Sequence, residues 1–365
     1  MWNSGASWDR FEEDLLLLAA GRDSNGDVMF PADGDECWTF PMALGKSDME
    51  VMCLAWGLDS YGSADEICGW CLANRSTLPH TDCRPNADWR ASSPLPNDIF
   101  MARLAARSQH PISKAHSFNK YFPRLDTLHV WDTHGIMAVV SASLIHKLTR
   151  TEDRLGRTVD ARLASVNVEL DQYYHEYKIR HRLPPLRDTN LLAGNGWATL
   201  NGKVIKAAPA RSLHGFLPQL ASKYCDAKPP HPNADERSSI NKLCKSLDEF
   251  YNTMYSAGMF LTEAEQGKME VAVGRVGKHL QKLRGIALVA NKLYWQITPK
   301  THYGQHWPEQ CRLLNPRFTQ TYADESIVGR MAKIWEGSCN GPFTNSQQGA
   351  VCTKYLVLLC LLLDI

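Results

Sequence analysis

The chain lacks an excess of charge of either sign: 40 Lys and Arg stand against 39 Asp and Glu, for a formal net charge of +1. No global field draws in a polyanion, so any nucleic-acid contact has to come from local basic faces. It also lacks an apolar run long enough to cross a membrane. The C-terminal YLVLLCLLL is about half of the ~20 residues a span needs and reads as a buried helix or strand. At the N-terminus, MWNSGASWDRFEEDLLLLAAG carries acids where a secretory signal requires basic residues. Internal repeats and low-complexity tracts are missing as well.

What is present is an ordinary globular balance, 44% hydrophobic and 22% charged, over 365 residues, enough for two or three structural units with a real core. The 11 cysteines are odd in number and unaccompanied by a signal peptide, which argues against a disulfide framework. They are expected to be mostly reduced and buried, with a few available to a metal.

An opening helix is expected from about Asp9 to Ala20, closed by Gly21, followed by a Gly/Asp-rich loop. CWTFPMALG reads as a short buried strand, with Asp48 just beyond it. EICGWCLANRSTLPHTDCRPNADW reads as a loop, and a helix is expected from about His134. From about Arg162 to Arg284 the pattern is mostly helical. Ile240, Leu243, Leu247, Phe250 and Met254 form one stripe, and Met269, Val273, Val276, Leu280 and Leu283 another. The expected division is residues 1–36 (helix and loop), 37–150 (first part of an α/β core), 151–290 (helical insertion) and 291–365 (remainder of the core).

Cys68 and Cys71 form CGWC, whose two-residue gap lets both thiolates grip one tetrahedral ion. The local candidates to complete a zinc site are His80 and Cys83. The distant ones are His302 and His306, whose spacing of four puts both rings on one face of a helix. Asp48, between a strand and a helix, is a candidate catalytic carboxylate, although Asp is also a favoured helix cap. Asp126 and His129 in DTLH, and Asp324 and Glu325 in YADES, are further candidates. Their order is distinctive: an acid and a ligand pair, a long helical stretch, then a second ligand pair and a second acid. One zinc could staple the two halves across the insertion and bring Asp48 and Glu325 together.

With these motifs the chain resembles, from about Cys37 to Ile334, the catalytic region of eukaryotic cut-and-paste DNA transposases of the CACTA and hAT groups and the related V(D)J recombinase catalytic subunit. Asp48 resembles their second catalytic Asp, CGWC their CxxC, DTLH their C/DxxH motif, PKTHYGQH their His pair and Glu325 their final Glu. KVIKAAPARSLHGFLPQL is similar to divergent transposase-like proteins of protists. The resemblance implies an RNase H-like core split by a helical insertion, a structural zinc on Cys68, Cys71, His302 and His306, and a catalytic site of Asp48, Glu325, Asp126 and His129 whose carboxylates hold Mg²⁺ for phosphodiester chemistry. It also implies a nuclear DNA-binding protein, a homo-oligomer, with no membrane partner. Backbone contacts to DNA would come from Lys203, Lys206 and Arg211 and from Arg275, Lys278 and Lys282.

The sequence departs from that family in one respect. The family's first Asp sits on an early strand, but here Asp23, Asp27, Asp33 and Asp35 all lie in a turn-like loop. The expected two-metal site is therefore degenerate or incomplete. A competing expectation is a non-enzymatic, zinc-stabilised helical module that binds DNA or protein. A third is a helical scaffold in which Cys68 and Cys71 lie far from the histidines.

Overall fold

Apolar stripes at helical spacing dominate the chain, and helix is correspondingly its main element. The computed structural model describes residues 45–47, 58, 65–107, 118–133, 135–201, 205–225, 233–312 and 314–322. Residues 1–319 form one compact unit and 320–365 a second; every element named below belongs to the first.

In chain order these elements are β1 (Gly45–Ser47), α1 (Asn97–Arg107), β2 (Pro123–Leu125), a π-helical turn (Leu128–Asp132), α2 (Ile136–Thr151) and α3 (Val159–Glu176). There follow α4 (Ala207–Arg211), α5 (Phe216–Tyr224), α6 (Ala234–Ser256), α7 (Glu263–Val289), α8 (Pro299–Gly304) and α9 (Trp307–Cys311). β1 and β2 pair in parallel, from Gly45 opposite Pro123 to Ser47 opposite Leu125. Among the described residues this pair is the only sheet, so the expected α/β core is represented by two short strands and the observed class is mostly helical. The expected helix at Asp9–Ala20, all of the CWTFPMALG strand before Gly45, and the apolar C-terminal run lie outside the described residues. No helix among the described residues is long and apolar enough to cross a membrane.

The two expected stripes fold as α6 and α7, which pack side by side with every stripe residue buried. Thr262 starts α7, accepting from the Glu265 amide while the Glu265 carboxylate accepts from the Thr262 amide. α2 is buried on nearly all sides, as its IMAVVSASLI start demands. It begins at Ile136 rather than near His134 because the π-turn comes first and Gly135 is extended. A Cβ at residue 135 would stand 2.1 Å from the Val130 carbonyl oxygen. From that turn Trp131 stacks on Phe250 of α6, ring centroids 3.8 Å apart. α7 in turn presses on the cysteine loop at Gly277, where a Cβ would lie 2.6 Å from Gln305 Oε1 and 2.9 Å from the Cys83 carbonyl oxygen.

Candidate metal centre

The CGWC loop aims its own amides at its sulfurs. Trp70 N–H donates to Cys68 Sγ (3.4 Å) and Ala73 N–H to Cys71 Sγ (3.3 Å). Such donors favour the thiolate, the form that binds metal. Asn74 closes the loop by accepting from the amides of Ser76, Thr77 and Leu78 through Oδ1.

The histidines arrive on a well-capped turn. Thr298 and Thr301 cap α8, whose first residue is Pro299, a position where the missing N–H costs nothing. His302 lies in this helix, and His306 directly precedes α9. The Tyr303 hydroxyl donates to the Ile67 carbonyl, tying α8 to the residue before Cys68.

All four expected ligands meet and are buried. Cys68 Sγ is 3.3 Å from His306 Nε2, Cys71 Sγ 3.3 Å from His302 Nε2, and the two Nε2 atoms are 3.3 Å apart. All four ligand atoms lie within 4.8 Å of one another. A zinc tetrahedron with Zn–S of about 2.3 Å and Zn–N of about 2.05 Å has N–N edges of roughly 3.3 Å and S–N edges of roughly 3.6 Å. The donor set and its spacing fit the ion, and this Cys₂His₂ group can hold a structural zinc. Aromatic walls keep the site dry: the Trp89 ring is 4.4 Å from His302 and 5.5 Å from His306, centroid to centroid.

The side chains prepare the charge distribution that zinc needs. Burial raises the Cys68 thiol, but the Cys71 hydrogen bond and the imidazoles of His306 and His302 outweigh it and hold Cys68 well below its ordinary value. Burial pushes Cys71 well up. For His306, burial acts downward, yet the Cys68 sulfur and Glu309 raise it to about 9, whereas His302 is lowered, chiefly by burial. Cys68 and His306 thus favour each other's charged forms across their 3.3 Å contact, and a zinc held there would take the place of the proton they share.

His80 and Cys83, the local alternative, do not join this group. Burial pushes the Cys83 thiol up to about 12, so it remains protonated, and its amide donates to Gln281 Oε1 of α7 (2.6 Å). Among the described residues no other group of three or more His, Cys, Asp or Glu gathers in this way.

Of the candidate catalytic residues, Asp48 and Glu325 lie outside the described residues, as does Asp324. Asp126 directly follows β2, and its side chain is 1% exposed. Its Oδ2 is 2.5 Å from His129 Nδ1, and its Oδ1 accepts from the Leu128 amide (3.0 Å). DTLH is therefore a local acid–imidazole pair that holds the π-turn, apart from the Cys₂His₂ group.

Of the basic candidates, Lys203 lies outside the described residues and Lys206, at the start of α4, is exposed. Arg211 is occupied: its Nη1 donates to the Tyr255 hydroxyl (2.6 Å). Arg275, Lys278 and Lys282 are exposed along α7; Arg275 meets Glu249 (3.4 Å) and Lys282 meets Asp235 (2.5 Å). Lys242 of α6 adds to this face. The half-buried His279 registers the result: burial and then Lys242, Lys278, Lys282 and Arg275 pull it down to about 4.

Sequence reasoning missed Trp89, Lys242 and His279, and also Ser93 and Glu309, which contact His306. Glu309 had a signal, since HWPE places an acid three residues after a candidate ligand. Comparison with protein-family models, curated proteins and solved structures found no match.

Proposed function

We propose that this chain is a zinc-stapled, transposase-derived protein that binds the DNA backbone and carries a degenerate two-metal site. The observation that carries this reading is the meeting of Cys68 and Cys71 with His302 and His306 across 231 and 238 residues. The resemblance requires those four ligands to close on one ion around a helical insertion, and α3 to α7 lie in the interval between them, after α1, β2 and α2. A further support is the parallel pair: β1 and β2 end in register at Ser47 and Leu125, and in the sequence an aspartate follows each, Asp48 and Asp126. The carboxyl ends of parallel strands are where α/β folds place their chemistry.

The site is read as degenerate because the sequence shows no strand-borne first Asp; Asp126 is in addition buried in its turn, where its oxygens meet His129 Nδ1 and the Leu128 amide. The chain is expected to bind duplex DNA with a steep salt dependence and little sequence preference, through Lys242, Arg275, Lys278 and Lys282. Mg²⁺-dependent nicking is expected to be absent.

A second reading, a zinc-stabilised helical module that docks on protein, is favoured by the predominance of helix. Fluorescence anisotropy on labelled duplex separates the two. Salt-sensitive binding that disappears when Arg275, Lys278 and Lys282 are all changed to Glu supports the DNA reading; no binding at low salt favours the module. Nicking that is lost in Asp126→Asn would show that the carboxylate does reach a metal and that the site is not degenerate.

A further inference from the structure

His306 and His302 offer the same atom to the centre but are supported very differently behind it. Ser93 Oγ is 2.5 Å from Glu309 Oε1 and 3.1 Å from His306 Nδ1, and Glu309 Oε2 is 3.7 Å from that same ring nitrogen. A carboxylate can only accept, so the Ser93 hydroxyl hydrogen is committed to Glu309. The Ser93 oxygen is then left to accept, and the donor to it must be His306 Nδ1–H. With a proton fixed on Nδ1, Nε2 is the nitrogen left to offer its lone pair to a metal at the centre. Behind His302 there is no such chain among the described residues: its Nδ1 is buried and meets no hydrogen-bond partner there.

We infer that Glu309, acting through Ser93, is a positioning residue that locks His306 in its metal-binding tautomer and makes the centre asymmetric, with His306 the anchored ligand. This rests on the zinc staple proposed above. The arrangement also balances charge around the centre. Zinc and two thiolates would cancel, and Arg90, whose guanidinium lies 4.5 Å over the Trp89 ring and donates to Gln305 Oε1 (2.8 Å), is a nearby cation that feels the Glu309 charge. A carboxylate behind a ligating imidazole raises its basicity and fixes its orientation, and losing such support costs about ten- to a hundredfold in metal affinity.

The test is a zinc competition against a chromophoric chelator with the full chain, comparing wild type with Glu309→Gln and Ser93→Ala, each checked for folding by circular dichroism. Both variants are expected to bind zinc about ten- to a hundredfold more weakly. The d–d bands of their cobalt-loaded forms should match wild type, because the donor set is unchanged, and Glu309→Asp should recover part of the affinity. Wild-type affinity in both variants would overturn the positioning role while leaving the staple intact. Altered cobalt bands would also overturn it, by making Glu309 or Ser93 part of the ligand set. A wild-type protein that binds neither zinc nor cobalt would overturn the staple itself, and this inference with it.

Discussion

Cys71 Sγ stands 3.3 Å from His302 Nε2 although 231 residues separate them. A contact of that range is not made by local structure. It requires α2 to α7 to return the chain to its starting loop; Gly277 and Gln281 of α7, and Gln305 beyond it, mark contacts with that loop. An ion held there would add to the Tyr303–Ile67 bond and the Trp89 packing that already join the two segments, so its removal should act on the whole fold.

Removing zinc is therefore expected to lower the melting temperature on the order of 10 °C. A ligand in thousandfold excess over its Kd stabilises by about 4 kcal/mol, and in a chain of this size 1 kcal/mol moves the midpoint by a few degrees. Scanning calorimetry with and without a strong chelator measures it. Cys71→Ser should melt near the chelated value and gain nothing from added zinc. Equal melting of loaded and chelated protein would show that the Cys₂His₂ group is only a set of core hydrogen bonds.

Gly277→Ala tests the docking of α7. Alanine normally favours a helix over glycine by about 1 kcal/mol, but here its Cβ would fall 2.6 Å from Gln305 Oε1 and 2.9 Å from a backbone oxygen, that of Cys83. The Gln305 side chain can swing away at the cost of its bond from Arg90; the backbone cannot. The variant is expected to lose about 1–3 kcal/mol in denaturant unfolding, and to release zinc faster than wild type. A gain in stability would mean that the contact relaxes freely.

Much of this centre was legible in the sequence, because metal ligands declare themselves by residue type and spacing. Cys68, Cys71, His302 and His306 needed only that logic, as the α6 and α7 stripes needed only periodicity. Ser93 was not legible, since it comes from another loop, and the signal of Glu309 in HWPE was easily passed over because an acid after Trp-Pro also reads as a solvated helix start. Lys242 was hidden for a related reason: it joins the α7 cations across a helix–helix contact that no single stripe reveals. Among the described residues the α/β expectation is represented by a three-residue parallel pair, since a strand leaves a local signal in sequence while a sheet is a non-local object. DTLH kept its acid and imidazole together, but as a turn-holding pair.

On the face proposed to bind DNA, Glu249 and Asp235 pair with Arg275 and Lys282 and would compete with phosphate for them. All four groups are substantially exposed, so the pairs themselves contribute little to stability. Replacing the acids, as Glu249→Gln with Asp235→Asn, should leave melting nearly unchanged and strengthen duplex binding severalfold. The slope of log K against log salt should steepen as two more cations become available to phosphate. Weaker binding, or an unchanged slope, would place the DNA elsewhere.

His279 offers a direct reporter of that face. Its folded value of about 4, against an ordinary 6.5, reflects first its burial and then Lys242, Lys278, Lys282 and Arg275. Because the folded value is depressed, the unfolded chain binds the proton more readily between these limits. The neutral imidazole's contribution to stability is thus full above about pH 6.5 and is lost as pH falls toward 4, and His279→Gln should flatten that part of the stability–pH curve. Phosphates laid along α6 and α7 would offset the four cations and make the imidazolium easier to form. An NMR titration of the His279 ring protons should therefore give a midpoint near 4 for the free protein and a clearly higher one with duplex bound. Lower salt should enlarge the shift, since screening weakens each of these interactions. A midpoint indifferent to DNA, at a concentration where anisotropy shows saturation, would mean that the duplex lies on another face and that Lys206 is the next residue to test.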